Sequence, residues 1–319
     1  MMLRRTALAL ALAAPSLARA QTGAQTGSLR ILLPQAPGSS NDMVARIIQE
    51  PMAAALRQTV VIENRPGANG AVAINALKQA RNDGQTLLLT GVSQLAFNPH
   101  LYRSLPYDVA RDFKLIAPVT DTPFVLIASR RSGITSLAQL LERARAQDLS
   151  YSSAGIGNST HLAMEMLADR AGIRMTHVPY PGTAQGVTSV VTGETDAMIP
   201  TLGVAFPQIQ GGAVNALAVL AAERVPQLPD VPTQAEAGLD APIMPGWFAM
   251  VGLAGMPEAA VTTLNAAIRT SLADPAVRRR LQDQFLIPLL GSAADIQARL
   301  DRESTLWGDF IRARRLSVD

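Results

Sequence analysis

A chain of 319 residues has room for two domains of ordinary size, and its 48% apolar and 17% charged content describes packed globular structure, not a disordered polymer. Aromatic residues make up only 4%, which argues against a surface that stacks nucleic-acid bases; the lack of cysteine excludes disulfides, thiolate metal sites, iron–sulfur clusters and a thiol nucleophile. The net charge of +3 resides in residues 1–20, where Arg4, Arg5 and Arg19 stand without an acid; the remainder carries 25 basic against 25 acidic residues and offers no basic face to a polyanion.

Residues 1–20 have the layout of a cleavable export signal. Arg4 and Arg5 form a charged start and Thr6 to Ala14 a short apolar segment. Ala18-Arg19-Ala20 then places small residues at −3 and −1 before a cut ahead of Gln21. The apolar run is far shorter than the roughly 20 residues of a membrane span. The arginine pair leaves both the general secretory and the twin-arginine routes open. The expected product is a soluble, monomeric, periplasmic chain beginning at Gln21.

Beyond the leader, short apolar runs alternate with helical patterns. Leu29 to Leu33 reads as a buried strand, and Asp42 to Leu56 as a helix that Pro51 should end or kink. Val60 to Ile62 is a strand, Ala71 to Arg81 a helix, Thr86 to Thr90 a strand, Phe124 to Ser129 a strand and Ser136 to Ala146 a helix. The rhythm restarts with strand Ser150 to Ser153 and helix Thr160 to Ala171. Strand Met175 to Val178, helix Ala184 to Thr192, and strands Asp196 to Ile199, Val214 to Ala221 and Trp247 to Leu253 follow. From Glu258 to about Arg315 the pattern is mostly helical. This alternation predicts an α/β fold of parallel βαβ units. No long linker separates the halves, so the domains are expected to be discontinuous, with crossings near Phe124 to Ala128 and Trp247 to Val251. The boundaries expected are 21–125 with 250–319 for one lobe and 126–249 for the other.

Chemistry in open α/β sheets belongs to loops that leave a strand and open a helix. Pro34 to Asp42 is one such loop, rich in small residues and hydroxyls; it serves either as a plain N-cap by Ser39, Ser40 or Asn41, or as an anion seat. Ser153 to His161 contains Gly155-Ile156-Gly157-Asn158-Ser159-Thr160. It resembles a dinucleotide fingerprint but lacks the third glycine and a downstream acid, and reads better as an anion-cradling helix start. Thr90 to Gln94 and Tyr180 to Thr183 are the other loops placed to line a cleft. No serine is flanked by both glycines of a nucleophile elbow, and no P-loop occurs. His161 and Glu165 share a helix face without a third metal ligand, His177 reads as structural, and Arg278 to Arg280 as a solvated face. With no catalytic constellation, the pattern fits a binding protein better than an enzyme.

Several segments, in this order, carry a resemblance. They are Val60-Val61-Ile62-Glu63-Asn64-Arg65-Pro66-Gly67, Asp83-Gly84-Gln85-Thr86-Leu87-Leu88 and Asn98-Pro99-His100-Leu101-Tyr102. Leu105-Pro106-Tyr107-Asp108, His177-Val178-Pro179-Tyr180 and Leu228-Pro229-Asp230-Val231-Pro232-Thr233 complete the set. Across essentially the whole chain after the leader, the sequence resembles the periplasmic solute receptors of tripartite tricarboxylate transporters, the Bug proteins. The resemblance implies a two-lobed type II periplasmic-binding fold, each lobe a mostly parallel sheet flanked by helices. It also implies a small organic carboxylate as ligand, no metal or cofactor, and either a membrane permease or a membrane sensor as partner. The family's Pro-Gly-Gly-Ser-Thr-Asp loop stands here as Pro37-Gly38-Ser39-Ser40-Asn41-Asp42. Pro181 takes the place of a frequent Lys or Arg; either Gln185 replaces a proline or the register shifts there by one; and Ile199-Pro200 takes the place of Phe-Asp. The last change removes an acid that would meet a ligand ammonium and points away from amino acids.

The expected ligand contacts are Gln35, Gly38, Ser39, Ser40 and Asn41 from the first lobe and Gly155, Asn158, Ser159, Thr160 and His161 from the second. Ser93, Gln94 and Thr201 complete the expected set. Neither main loop carries Lys or Arg, so backbone N–H groups, hydroxyls and water are expected to hold the carboxylate.

Overall fold

A computed structural model describes residues 27–242 and 246–318. The export signal and cut site expected from the sequence lie outside these residues.

The first half opens with β1 (Leu29–Leu33), α1 (Ser40–Leu56), β2 (Val60–Asn64), α2 (Ala71–Lys78) and β3 (Thr86–Gly91). A wide helical turn over Ser93–Phe97 leads into the single turns α3 (Asn98–Leu101) and α4 (Val109–Asp112), then the long β4 (Phe113–Thr122). The second half holds β5 (Phe124–Ser129), α5 (Leu137–Ala146), β6 (Ser150–Ser153), α6 (Ser159–Ala171), β7 (Thr176–Pro179) and α7 (Thr183–Thr192). It continues with β8 (Ala197–Met198), α8 (Leu202–Gln210) and β9 (Val214–Leu220). The chain then returns through β10 (Gly246–Leu253), α9 (Glu258–Ala273), α10 (Pro275–Gln282), β11 (Ile287–Pro288) and α11 (Ala293–Arg314).

The strands form two sheets, in the orders β11-β4-β10-β3-β1-β2 and β7-β6-β8-β5-β9. The chain leaves the first sheet between Thr122 and Phe124 and rejoins it at Gly246. In the first sheet β1 to β4 run one way, against β10 and β11; in the second β6 to β9 run one way, against β5. The sheets are therefore mixed. The reversed β5 and β10 are the strands expected at the crossings, a direction that hydrophobic patterning alone does not encode.

Central strands are buried on both faces, which explains their unbroken apolar runs. Leu29, Ile31 and Leu33 pack with Val44, Ile48 and Ile268, whereas Leu32 joins Ile74, Leu77 and Trp307 on the opposite side. Side chains of successive strand residues alternate between the faces, so one register serves two layers of helices.

Three local expectations need correction. Helix α1 continues past Pro51 for another turn, because Met52 beyond it is completely buried and anchors the segment. Strand β4 went unread because Pro118 and the charges of Lys114 and Asp121 interrupt its pattern. The structure accommodates this proline beside a register shift between Phe248 and Ala249, where a missing N–H is tolerated. Helix α8 was hidden by Pro207 inside it.

A neutral two-chambered cleft as the candidate functional site

The loops after β1, β2, β3, β6 and β7 converge between the sheets. They enclose an outer chamber of about 410 Å³, walled by Pro34 to Pro37, Ser39, Pro66 to Gly70, Gln94, Ala154, Gly155, Asn158 and Tyr180 to Gln185. Behind it lies an inner chamber of only about 20 Å³. Gln35, Ser40, Ser93, Gln94, Asn158, Ser159, Thr160, Thr183 and Thr201 line that recess, with Trp247 and Phe248 of β10. None of the described residues lining either chamber is charged.

Most of the expected contacts are thus brought together. Gln35, Ser39, Ser40, Ser93, Gln94, Gly155, Asn158, Ser159, Thr160 and Thr201 all line one chamber or both. The halves also touch directly: Ser40 Oγ donates to Thr201 Oγ1 at 2.8 Å, and the Ser159 N–H donates to Ser93 Oγ at 3.0 Å. The inner chamber is small because these hydroxyls already meet across it.

Gly38, Asn41 and His161 do not line the cleft. Gly38, at φ +80°, donates its N–H to Asp42 Oδ2 at 3.0 Å and shapes the turn into α1. Asn41 is fully buried, and its Nδ2 donates to the Leu89 carbonyl at 3.0 Å, tying α1 to β3. His161 lies beneath the β6–α6 loop, its ring stacked on His177 at 4.1 Å, with the Tyr151 ring near-parallel to both, 4.9 Å from His177 and 6.3 Å from His161. Its Nδ1 accepts the Gly157 N–H at 3.2 Å. His177 Nε2 lies 2.6 Å from Ser153 Oγ, which also accepts the Gly155 N–H at 3.1 Å. Both imidazoles therefore hold the loop that lines the cleft rather than facing into it. Burial drives the pKa of each down to about 4, and for His177 the neighbouring His161 adds to the effect. Ser153 and His177 form a serine–histidine pair that spacing did not reveal. Ser153 is completely buried, so no substrate reaches it.

The helix starts at the cleft differ in what they leave open. Ser39 caps α1, its Oγ accepting the Asp42 N–H at 3.3 Å. Asn158 caps α6, its Oδ1 accepting the Thr160 N–H and the Thr160 hydroxyl, each at 3.1 Å. Thr160 Oγ1 in turn accepts the Ala154 N–H at 2.8 Å, so this hydroxyl fixes the loop. Helix α7 begins after Gly182, which has no side chain to cap it. Thr183, only 7% exposed, places a hydroxyl there that makes no hydrogen bond to a described residue. Asn158, 5% exposed, likewise keeps its Nδ2 for the cleft. Open N–H groups, an aligned helix dipole and two spare side-chain groups give this corner the chemistry to attract an anion. The Tyr180 to Thr183 loop was noted in the sequence only as a cleft lining. Its glycine N-cap before an amphipathic run was the available signal.

A family model for the tripartite tricarboxylate transporter family receptor, TctC, matches residues 44–316. The chain belongs to the TctC family. A protein from the tcbD–tcbE intergenic region of Pseudomonas sp. strain P51 is 35% identical, over 90% of this chain and 86% of its own. BugT of Bordetella pertussis is 29% identical, over 89% and 88%. Among solved structures, R. palustris Rpa4515 with adipate has a TM-score of 0.87 at 28% identity, covering 91% of this chain and 98% of its own. MatC from Rhodopseudomonas palustris with bound malate has a TM-score of 0.84 at 30% identity, covering 88% and 98%.

In this TctC-family chain, the segments that carried the resemblance build the cleft wall from behind. Asn64 Nδ2 donates to the Gln35 carbonyl at 3.0 Å. Residues 67–70 follow with φ of +133°, +44°, +44° and +95°, a costly backbone run for Ala68 and Asn69. Gln94 and Asn98 hold it by donating to the Asn69 carbonyl, each at 3.1 Å. The Tyr107 hydroxyl completes the bracket, donating to the Gln94 carbonyl at 2.7 Å and accepting from Asn98 Nδ2 at 2.9 Å. Burial raises the Tyr107 pKa, so the hydroxyl stays a donor. Tyr107→Phe leaves the Gln94 carbonyl and the Asn98 amide short of partners, and we expect a loss of about 1–3 kcal/mol, measured by urea denaturation.

Proposed function

We propose that the chain is a periplasmic receptor whose two lobes close on a small organic carboxylate and present it to a membrane permease of the tripartite tricarboxylate type. The observation that carries this reading is the uncapped start of α7 opening into a neutral chamber beside the unpartnered Thr183 hydroxyl and the Nδ2 of Asn158. Charge-assisted hydrogen bonds from N–H and O–H donors hold a carboxylate without a salt bridge. The bound adipate of Rpa4515 and malate of MatC support the ligand class. The inner chamber sits against β10, a strand next to the crossing, so ligand contacts made from both halves favour the closed arrangement.

The test is a thermal-shift panel of mono-, di- and tricarboxylates, aromatic acids and acidic amino acids, with sugars and neutral amides as controls. A ligand at about 100 times its dissociation constant stabilises the fold by roughly 2.7 kcal/mol, a shift of a few degrees. Shifts confined to carboxylates are the expected result. Shifts from neutral compounds alone would reject the carboxylate and keep the fold.

A further inference from the structure

We infer that the start of α8 is a latch between the two halves of the protein, with the Phe285 ring as its catch. The latch sets how far the cleft stands open, through contacts the protein makes with itself, whatever the cleft binds. Helix α8 belongs to the half built on the second sheet. Three contacts grip it from α1 and from the turn between α10 and β11, which belong to the first half. The N-cap Thr201 makes no capping hydrogen bond to its own helix; its Oγ1 accepts from the Ser40 hydroxyl of α1 at 2.8 Å, with both residues buried. Two residues on, Gly203 lets the helix backbone lie against the α10 turn: a Cβ there would stand 2.4 Å from the Gln284 carbonyl oxygen. Three residues further, the Phe206 ring meets Phe285, with centroids 4.5 Å apart and planes tilted by 56°.

Phe285 is the member of this set whose identity local structure does not explain. Beyond α10 the chain closes a Schellman turn: the Leu286 N–H donates to the Leu281 carbonyl and the Phe285 N–H to the Gln282 carbonyl, each at 2.9 Å. Phe285 takes the left-handed position of that turn, at φ +57°. Glycine is the usual residue there, because a Cβ clashes in that region. The benefit of the ring falls to the other half. Phe285 is 8% exposed and packs with Val125 and Ile127 of β5 and with Leu202 and Ala205 of α8. Its neighbours Leu281 and Leu286 pack instead in the core of the first half, with Ile48 and Ile268. A side chain rooted in one half thus completes the core of the other. Gly203, Phe206 and Phe285 line neither chamber, so they act on binding only by setting the relative position of the halves. The apparent affinity of such a receptor scales with the fraction of molecules in the binding arrangement, and the latch raises that fraction.

The chain has no cysteine, so one introduced pair carries spin labels without background. Gln79→Cys at the end of α2 and Thr188→Cys on α7 are exposed, on opposite halves, and on helices that both begin at the outer chamber. Pulsed dipolar spectroscopy on the processed chain, with no ligand added, reads the distance between them. We expect one short, narrow distance with the latch intact. In Phe285→Gly and in Gly203→Ala a longer population should be enriched about tenfold. Glycine is the ordinary residue at the Schellman position and alanine favours helix, so each substitution suits its own element while opening the latch. Phe206→Ala added to Phe285→Gly should open the protein no further, since both remove the same contact. Unchanged distances in both single variants, at urea midpoints that show them folded, overturn the latch, as does a protein that already stands open before either change. Should Phe285→Gly fail to fold, Gly203→Ala decides alone. The readout needs no ligand, so its failure leaves the carboxylate reading standing, and a carboxylate panel without shifts leaves the latch standing.

Discussion

Lowering the pH from 6.5 towards 4 should destabilise the protein strongly, with the loss centred on the stacked His161 and His177. Both have folded-state pKa values of about 4, depressed by burial from 6.5. Between these limits the unfolded chain binds protons that the folded chain refuses, so stability falls as pH falls. Each depressed group contributes up to about 1.4 kcal/mol per pH unit across that window. His161, 8% exposed, should give about 3 kcal/mol in all, and the more open His177 a smaller, solvent-screened share. The groups facing the stack are Tyr151, Ser153 and Glu165; the Tyr151 hydroxyl donates to Glu165 Oε1 at 2.5 Å. Of the groups outside the stack, Glu63 is lowered from 4.5 to about 2 by the Arg30 hydrogen bond, so its loss sets in only below about pH 4.5. Asp121, raised by burial, works in the opposite direction. Urea midpoints at half-unit pH steps, combined with an NMR titration of the chain's three histidines, check this. His177→Gln should flatten the profile. A pH-independent midpoint between 6.5 and 4.5 would sink the account.

The same stack shows where the sequence was readable and where it was not. The strands of β1 and β3 and the helices α1, α6 and α7 follow from local pattern, because each buries an apolar face of regular period. The site loops were found because strand-to-helix turns rich in glycine and hydroxyls occur at few places. What local pattern does not carry is the third dimension. His161 and His177 lie on different elements, so nothing in their spacing shows that their rings meet at 4.1 Å. Asn41 carries the same amide as Asn158 and also sits at the start of a helix. One turns back to the Leu89 carbonyl and the other faces the cleft, a difference set by the strand behind α1. The proline- and glycine-rich stretch at 66–70 reads as a loop, but its strained backbone does not, because it is stabilised by Gln94, Asn98 and Tyr107, which lie well along the chain.

Thr183→Pro should abolish most ligand affinity while leaving the fold almost untouched. Proline is tolerated at the first position of a helix, where the N–H it lacks has no intrahelical acceptor. The residue before it must be extended, and Gly182 already is, at φ −172° and ψ 167°. The substitution therefore removes one open N–H and one free hydroxyl from the anion corner without breaking a bond the protein makes to itself. A hydrogen bond to a charged group contributes about 1.5–3 kcal/mol, so losing both donors costs on the order of 100-fold to 10,000-fold in dissociation constant. Thr183→Val keeps the N–H and removes only the hydroxyl, and should cost about 10-fold to 100-fold. Calorimetry with the best carboxylate from the panel, alongside urea denaturation of both variants, separates affinity from stability. The graded loss, valine first and proline beyond it at unchanged urea midpoint, places the carboxylate on the end of α7. Wild-type affinity in the proline variant would show that the ligand is held elsewhere in the cleft.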